Sequence, residues 1–542
     1  MWAVSGRAWK WGRSDDCKSA IRQSATLRYV GSGVTGLASI VAAFALIAEL
    51  AVGAALAAQD PSWPTLHGDL QRSGFSTQFP KGPFKLAWRR ELWRELTGPR
   101  AEVVVGGGLA FMGTYAGNFY AWDAASGEQR WVFKTAGAVC HSPAWRDDAV
   151  FVGSMDRRLY ALDAASGRER WRFEAGEGIG VSPAIHHGLV MFGARDGVFY
   201  ALDAASGTLA WRFPTGDRIL TTASLSEDGA RIVFASEDMH VYCLGAADGK
   251  LLWKSRKLAG LSARDYAPVI VRGLALVTTC PVKDFHAILG EHQNMLVRRS
   301  GFSGKDPRYI PGTADDVRAE QDFIVDFLKR HPEEQSFFAF RLEDGSEPWI
   351  APILYTGGLH NPLTLPCFNR ETGEVFTQVR SAYGTWDGGG EVRPFTGFGK
   401  LDLATGRVEL LGHGYPSKEP ARPPGAKDMP WMTFNYIGDE TQTLSCAPGL
   451  LLCTHQGYIG SLDLKTGKTA NLYGKRDTYG GFFGAGNFGW EDKGGLEKAR
   501  AAGQPYGLVN EWHGPARAIV SVAGKRVYYS VGSQVLCLEG AP

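Results

Sequence analysis

The sequence predicts an all-β fold: an eight-bladed propeller of four-stranded antiparallel blades, closed by an N-terminal strand, with loop and helix insertions on one face. Three observations predict it. Between Gly117 and Phe213 the chain contains GNFYAWDAASGEQRWVF, RRLYALDAASGRERWRF and GVFYALDAASGTLAWRF. Trp131, Trp171 and Trp211 stand 40 residues apart, and Trp253 comes 42 later. Self-similarity at this period marks a repeat architecture. Second, each repeat holds four short apolar runs split by Gly, Asp and Ser clusters, the pattern of strands joined by tight turns; four such strands make one propeller blade. Third, the last repeat ends at Val535–Gly540, one strand short, whereas Phe84–Arg89, with Trp88, is a strand with no partner before it. If that strand completes the last blade, the ring closes without an exposed edge.

The chain begins with a targeting pattern. Arg7, Lys10, Arg13, Lys18, Arg22 and Arg28 precede an apolar stretch from Val34 to Ala48, and Ala55-Leu56-Ala57 offers a small-residue cleavage pattern. Residues 1–58 are read as a signal peptide or, uncleaved, as a membrane anchor. They carry 6 of the 58 basic and 3 of the 56 acidic residues, so residues 59–542 hold 52 against 53. So balanced a charge argues against a nucleic-acid surface. The expected location is periplasmic or secreted, with anchorage to the cytoplasmic membrane only through an uncleaved leader. Seven cysteines lie beyond the leader, an odd number. Cys446 and Cys453 are spaced to face each other across a hairpin; elsewhere a buried free thiol is expected.

Residues 59–83 read as an irregular strap and 84–542 as the propeller. The first blade spans about Thr97 to Phe133, and three more continue to Ser255. The fifth runs from Arg264 to Trp349 around an insertion, 281–335. That insertion holds one helix, opened by Thr313 with Asp316 three residues on, striped by Val317, Ile324, Phe327 and Leu328, and stopped by Pro332. The sixth blade carries Leu401–Gly406, the seventh Leu462–Gly467, and the eighth starts near Glu511. Calling the strands of a blade A to D from the axis outward, the A–B and C–D turns share one face. The B–C turns and D–A loops share the other. Every long excursion (281–335, 382–396, 416–430 and 474–510) falls on that second face, which usually marks the binding face of a repeat protein.

The Ala161, Asp163, Gly167, Trp171 pattern, repeated in the first and third copies, resembles the AxDxxTGxxxW signature of the pyrroloquinoline-quinone (PQQ) repeat; the fourth copy departs at Gly245. The resemblance covers about residues 61–542 and implies eight blades. It also covers two functional classes. Quinoprotein dehydrogenases hold PQQ and calcium at the axial mouth beside a vicinal Cys-Cys pair. No two cysteines are adjacent in this chain, and no C-x-x-C-H haem motif occurs, so PQQ with calcium is not the expected cofactor. The BamB-type outer-membrane assembly factors carry no cofactor and bind a protein partner. They are lipoproteins, and no lipid-bearing Cys comes after the apolar stretch here.

Aligning the A–B turns places His141, Val181, Thr221 or Thr222, Tyr266, Gln442 and Arg517 at the axial mouth of the decorated face, with His360 and His513 just before their strands. Three histidines, a tyrosine and an arginine there suit an anionic or sugar-like ligand, or a metal; polar residues lining a wet channel would look the same. Asp265, Glu511 and Trp512 depend on the same register. Tyr383–Gly390 and Tyr479–Trp490 place aromatic rings on glycine-rich loops, suited to stacking on sugar or quinone rings or to packing the loops down. No catalytic residue and no metal site is assigned. The expectation is an extracytoplasmic, monomeric binding or scaffold module with a protein or carbohydrate partner in the cell envelope. The alternative is an enzyme or small-molecule binder, with carbohydrate or quinone as ligand.

Overall fold

The computed structural model describes residues 62–92, 95–98, 101–264, 266–282, 288–289, 309–310, 314–354, 365–381, 384–385, 395–411, 441–455, 458–466, 469–473, 519–531 and 534–541. Their strands form eight antiparallel blades, seven of them four-stranded sheets. Blades one to four are consecutive strand quartets, from Val104–Gly106 through Leu251–Lys254. The A strands of successive blades lie beside one another, which puts them around the axis.

The ring closes as the orphan strand requires. Lys81–Glu91 pairs antiparallel with Gln534–Ala541, Trp88 opposite Cys537, and becomes the outer strand of the eighth blade. Trp88 then does what the other repeat tryptophans do. In the regular blades the Trp of strand D lies on the C–D turn of the next blade. A Cβ added at Gly167, which sits at φ +70°, would stand 2.5 Å from the Trp131 ring; only glycine lets the indole come so close. Trp131 Nε1 donates to Ala164 O at 2.9 Å. The same dock recurs as Trp88 on Gly127, Trp171 on Gly207, Trp211 on Gly249, Trp253 on Gly345 and Trp349 on Gly406. The C–D turns of the first three blades are also fixed locally: Asp163 Oδ1 accepts from Ser166 N at 2.9 Å and Ser166 Oγ at 2.7 Å, an Asx-type turn that Asp123 and Asp203 repeat.

The fifth blade differs. Among the described residues it has three strands, Val269–Val271, Leu274–Thr278 and Phe337–Arg341. Where its outer strand would run, Trp349 keeps its dock, with Nε1 2.9 Å from Leu403 O, but no ladder forms. The helix of the insertion, α1 (Ala314–Arg330), covers that flank instead. Ile324 and Leu328 bury against Ile288, Leu289 and Leu354, with Phe327 and Ile350 beside them. Covering an unpaired sheet edge with a helix is a standard protection against edge pairing. The next edge is covered by a side chain: Gln321 Nε2 donates to Val408 O at 2.5 Å, and Val408 N donates to Gln321 Oε1 at 3.3 Å, so one amide imitates a strand neighbour. The insertion leaves from the B–C side, as the topology predicts. Its helix then runs down the flank, so that Val317 and Gln321 share a cavity of about 960 Å³ with the turn residues Arg272, Gly373 and Asp402 of the opposite side. On the B–C side, the insertions of blades five and six meet: Tyr309–Ile310 pairs antiparallel with Gly384–Thr385.

Candidate functional site

The axis is where all eight A strands converge, and a single non-repeating segment fills it. The inner edge of each A strand carries backbone groups with no neighbouring strand, and buried backbone groups need partners. The strap supplies them. Trp63 and Val105 exchange bonds of 2.8 and 2.9 Å. Trp145 N donates to Pro64 O at 2.8 Å, Leu225 N to Leu70 O at 2.9 Å, Ile270 N to Gln71 O at 2.9 Å and Phe368 N to Ser73 O at 2.8 Å. Cys446 N donates to Gly74 O at 2.9 Å, and Ser76 N returns a bond to Cys446 O at 3.0 Å. Fourteen residues of strap thus reach blades one, two, four, five, six and seven.

Charge is buried with it. Arg72 is fully enclosed. Its Nη1 donates to Thr65 Oγ1 at 2.9 Å, Leu66 O at 2.8 Å and Asp69 O at 3.1 Å, and its Nη2 to Ala223 O at 2.7 Å. Burial lowers its pKa to about 10, with Asp69 and Glu102 opposing the fall, so the guanidinium stays charged at neutral pH. Glu102, also buried, accepts from Trp63 Nε1 at 2.6 Å and His67 N at 2.7 Å, and its other oxygen stands 3.7 Å from His67 Nδ1. His67 Nε2 lies 3.2 Å from Pro366 O in the sixth blade. A buried cation and a buried acid are tolerable because both Arg72 Nη atoms and both Glu102 oxygens have partners, although Arg72 Nε has none.

Toward the other end of the axis, the starts of the A strands are laced blade to blade. Glu102 N donates to Ser142 Oγ at 2.8 Å, Ser182 N to Thr222 Oγ1 at 3.1 Å, and Thr222 N to Tyr266 O at 3.1 Å. His141 is buried, with Nδ1 3.0 Å from Ser182 Oγ. Tyr266 is buried too, its hydroxyl 3.7 Å from Cys280 Sγ. Val181, Thr221 and Thr222 are buried beside them, and Thr221 Oγ1 donates to Ala235 O at 2.6 Å. His141 and Tyr266 thus lie in one belt: the His141 ring meets Ser182 of the next blade, the Tyr266 carbonyl takes Thr222 N of the preceding blade, and the Tyr266 hydroxyl meets Cys280 of its own. Gln442 falls in the seventh-blade strand Thr441–Ala447. His360, His513 and Arg517 lie outside the described residues, as do Asp265, Glu511, Trp512 and the glycine-rich loop 479–490.

The donor set of this belt is one imidazole, several hydroxyls and a phenol. The buried carboxylate nearest the axis, Glu102, already takes two strap donors. Among the described residues no group of three or more His, Cys, Asp or Glu is arranged to hold a metal. Cys446 and Cys453 do not face each other: Cys446 stands opposite Leu451, and Cys453 opposite Leu444.

A second polar device sits on the B–C turns. Asp156, Asp196 and Asp238 stand four residues before Tyr160, Tyr200 and Tyr242. In each pair the carboxylate accepts from the tyrosine hydroxyl and from a D–A linker amide. For Asp196 these are Tyr200 Oη at 2.6 Å and Gly176 N at 2.7 Å; for Asp156, Tyr160 Oη at 2.8 Å and Ala136 N at 2.9 Å. The first blade has Ala116 at the Asp position, and there Glu95 supplies the carboxylate, 2.9 Å from Tyr120 Oη. Burial first, and the carboxylate next, push Tyr120 and Tyr200 up to about 12. The D-x-x-x-Y spacing, repeated at the blade period, was the signal for this clamp. Glu102 and the strap's Arg72 and His67 had no repeat signal, because each occurs once.

Comparisons with known proteins agree on the fold. A family model described as outer membrane protein assembly factor BamB matches residues 85–194 and 143–351. Among solved structures, the chain is similar to quinohemoprotein alcohol dehydrogenase from Comamonas testosteroni, at 13% identity and a TM-score of 0.51, over 89% of this chain and 81% of that one. It is also similar to BamB from Moraxella catarrhalis, at 11% identity and a TM-score of 0.45, over 84% of this chain and 99% of that one. No curated protein matches the chain. At such identities a structural likeness speaks only for architecture. The repeat signature, the eight blades and the family model matched over residues 85–351 make this chain a PQQ-like eight-bladed β-propeller.

Proposed function

We propose that the protein is an extracytoplasmic binding or scaffold module whose B–C side receives a protein partner. The observation that carries this reading is the occupied axis. The strap occupies it from the A–B side, and the described A-strand starts are bonded from blade to blade. What the fold adds beyond a bare ring gathers elsewhere, where the blade-five and blade-six insertions pair through Tyr309–Ile310 and Gly384–Thr385. The matched family model, described as an outer membrane assembly factor, supports a protein partner over a redox substrate. The basic and apolar leader supports a place outside the cytoplasm. Among the described residues no helix is long and apolar enough to cross a membrane.

The test deletes residues 291–308, sparing α1 and the Tyr309–Ile310 pairing. Tagged chains with and without the deletion are used to capture partners from cell-envelope extract, and the intact chain is titrated calorimetrically with PQQ plus calcium and with a glycan panel. A protein retained stoichiometrically by the intact chain and lost by the variant is expected, with no heat from the small molecules. Heat from PQQ or a glycan, with no partner retained, would replace this reading with the small-molecule one.

A further inference from the structure

We propose that Cys367 and Cys446 form a disulfide that joins the sixth blade to the seventh beneath the strap. Cys367 opens the A strand Cys367–Phe368, and Cys446 lies in the neighbouring A strand Thr441–Ala447. Two consecutive strap residues hold them together: Ser73 O takes Phe368 N at 2.8 Å, and Gly74 O takes Cys446 N at 2.9 Å. A Cβ at Gly74 would stand 3.0 Å from Cys367 Cβ, so the strap passes directly over the first thiol. Both cysteines are buried in one apolar cluster with Phe75, Phe376 and Leu444. The thiols are near enough to act on each other: burial, and then the Cys446 thiol, push Cys367 well above its ordinary value. Cys453 is the third thiol of this cluster, but it lies diagonally across the ladder from Cys446. Diagonal partners sit about 7–8 Å apart, beyond ordinary disulfide reach.

The chemistry also fixes when the bond forms. Each thiol gives up one proton and one electron as the sulfur–sulfur bond is made. A disulfide donor such as oxidised glutathione takes the electrons, and its own bond breaks to two thiols. A neutral, buried thiol is a poor nucleophile, so exchange belongs to folding, before the strap seals the cluster. Once sealed, the bond is shielded from reductants. It closes a loop of roughly 80 residues, long enough for cross-linking to remove substantial chain entropy from the unfolded state. The bond needs only two side chains and an oxidant, and is independent of the partner that the B–C side takes.

The full chain is refolded from denaturant in a reduced and oxidised glutathione buffer, alkylated under denaturing conditions, digested and read by mass spectrometry. A peptide pair joining Cys367 to Cys446 is expected, with Cys453 alkylated, and the Cys453→Ser variant should give the same pair. Native chain treated with reductant should keep the bond until it is unfolded. Refolding without oxidant should lower the thermal midpoint by about 4 °C, and the C367S/C446S double variant should match that lower value with or without oxidant. Recovery of Cys367 and Cys446 as alkylated thiols after oxidative refolding, or either one joined to another cysteine, would overturn the proposal.

Discussion

The rim and the axis of this propeller solve the same problem, joining one blade to the next, in opposite ways. At the rim one contact is used six times, a repeat tryptophan laid on the turn glycine of the next blade. Along the strap no contact is used twice. The strap meets Val105, Trp145, Leu225, Ile270, Phe368 and Cys446 with different residues, and it buries an arginine and a glutamate on the way. The difference is geometric. Rim contacts are related by the rotation that relates the blades, so a repeated sequence can encode them. The A-strand ends converge on one small space, which a single segment must fill without symmetry. Rim contacts are therefore local and separable, whereas the strap couples distant blades.

Arg72 puts that contrast to its severest test. Arg72→Ala removes donors from Thr65, Leu66, Asp69 and Ala223 and leaves Glu102 with less opposing charge. Loss of one member of a buried, paired polar group costs about 3–5 kcal/mol, which chemical denaturation should register. Native-state hydrogen exchange is the sharper readout. The amides of Leu225, Ile270, Phe368 and Cys446, which all donate to the strap, should speed up together. A response confined to the surroundings of Ala223 would mean the strap is a row of independent contacts, like the rim.

Gly167→Ala should have a smaller and purely local effect. The new methyl would stand 2.5 Å from Trp131 at φ +70°, so left-handed strain adds to the clash, about 2–3 kcal/mol together. Gly188→Ala is the control. Its φ is +75° but nothing lies within 4 Å, so only backbone strain of about 1 kcal/mol remains. Equal losses at the two positions would show that the tryptophan dock contributes nothing beyond the turn.

The same contrast decides what the sequence could tell. The strand order, the closure by Lys81–Glu91 and the eight blades all derive from the period and from the missing last strand. Trp88, one partnerless residue, located the seam because it belongs to the repeating set. Counting from the turns aligned His141 with Tyr266. Their burial and bonding partners were not legible, since those depend on contacts made only in the fold, with Ser182 of the next blade and with Cys280. Arg72, His67 and Glu102 were illegible for the reason the axis is irregular: a residue that occurs once has no copy to be compared with. The fifth blade shows the intermediate case. Its tryptophan position at Trp349 could be read, but an outer segment without a ladder, roofed by α1, could not be inferred from a motif that survived intact.

The finest difference lies within the rim itself. Trp171 Nε1 donates to Ala204 O at 3.0 Å, as do its counterparts at Trp88, Trp131, Trp253 and Trp349 to their own carbonyls. Trp211 packs on Gly249 in the same way, yet its Nε1 is buried with no acceptor. Its dock falls on the fourth repeat, the copy that carries Gly245 in place of the motif aspartate; nothing in the local packing explains why the acceptor is missed. Trp→Phe at either site removes similar apolar area. At Trp171 it also strands the Ala204 carbonyl, whereas at Trp211 it removes a donor that was already unsatisfied. A neutral hydrogen bond is worth about 1 kcal/mol net, and an unmet buried donor costs a comparable amount. Trp171→Phe should therefore lose about 1–2 kcal/mol more than Trp211→Phe in parallel denaturation series. Equal losses would mean that the docks hold by ring packing alone, and that the indole hydrogen bond is incidental even where the repeat is most regular.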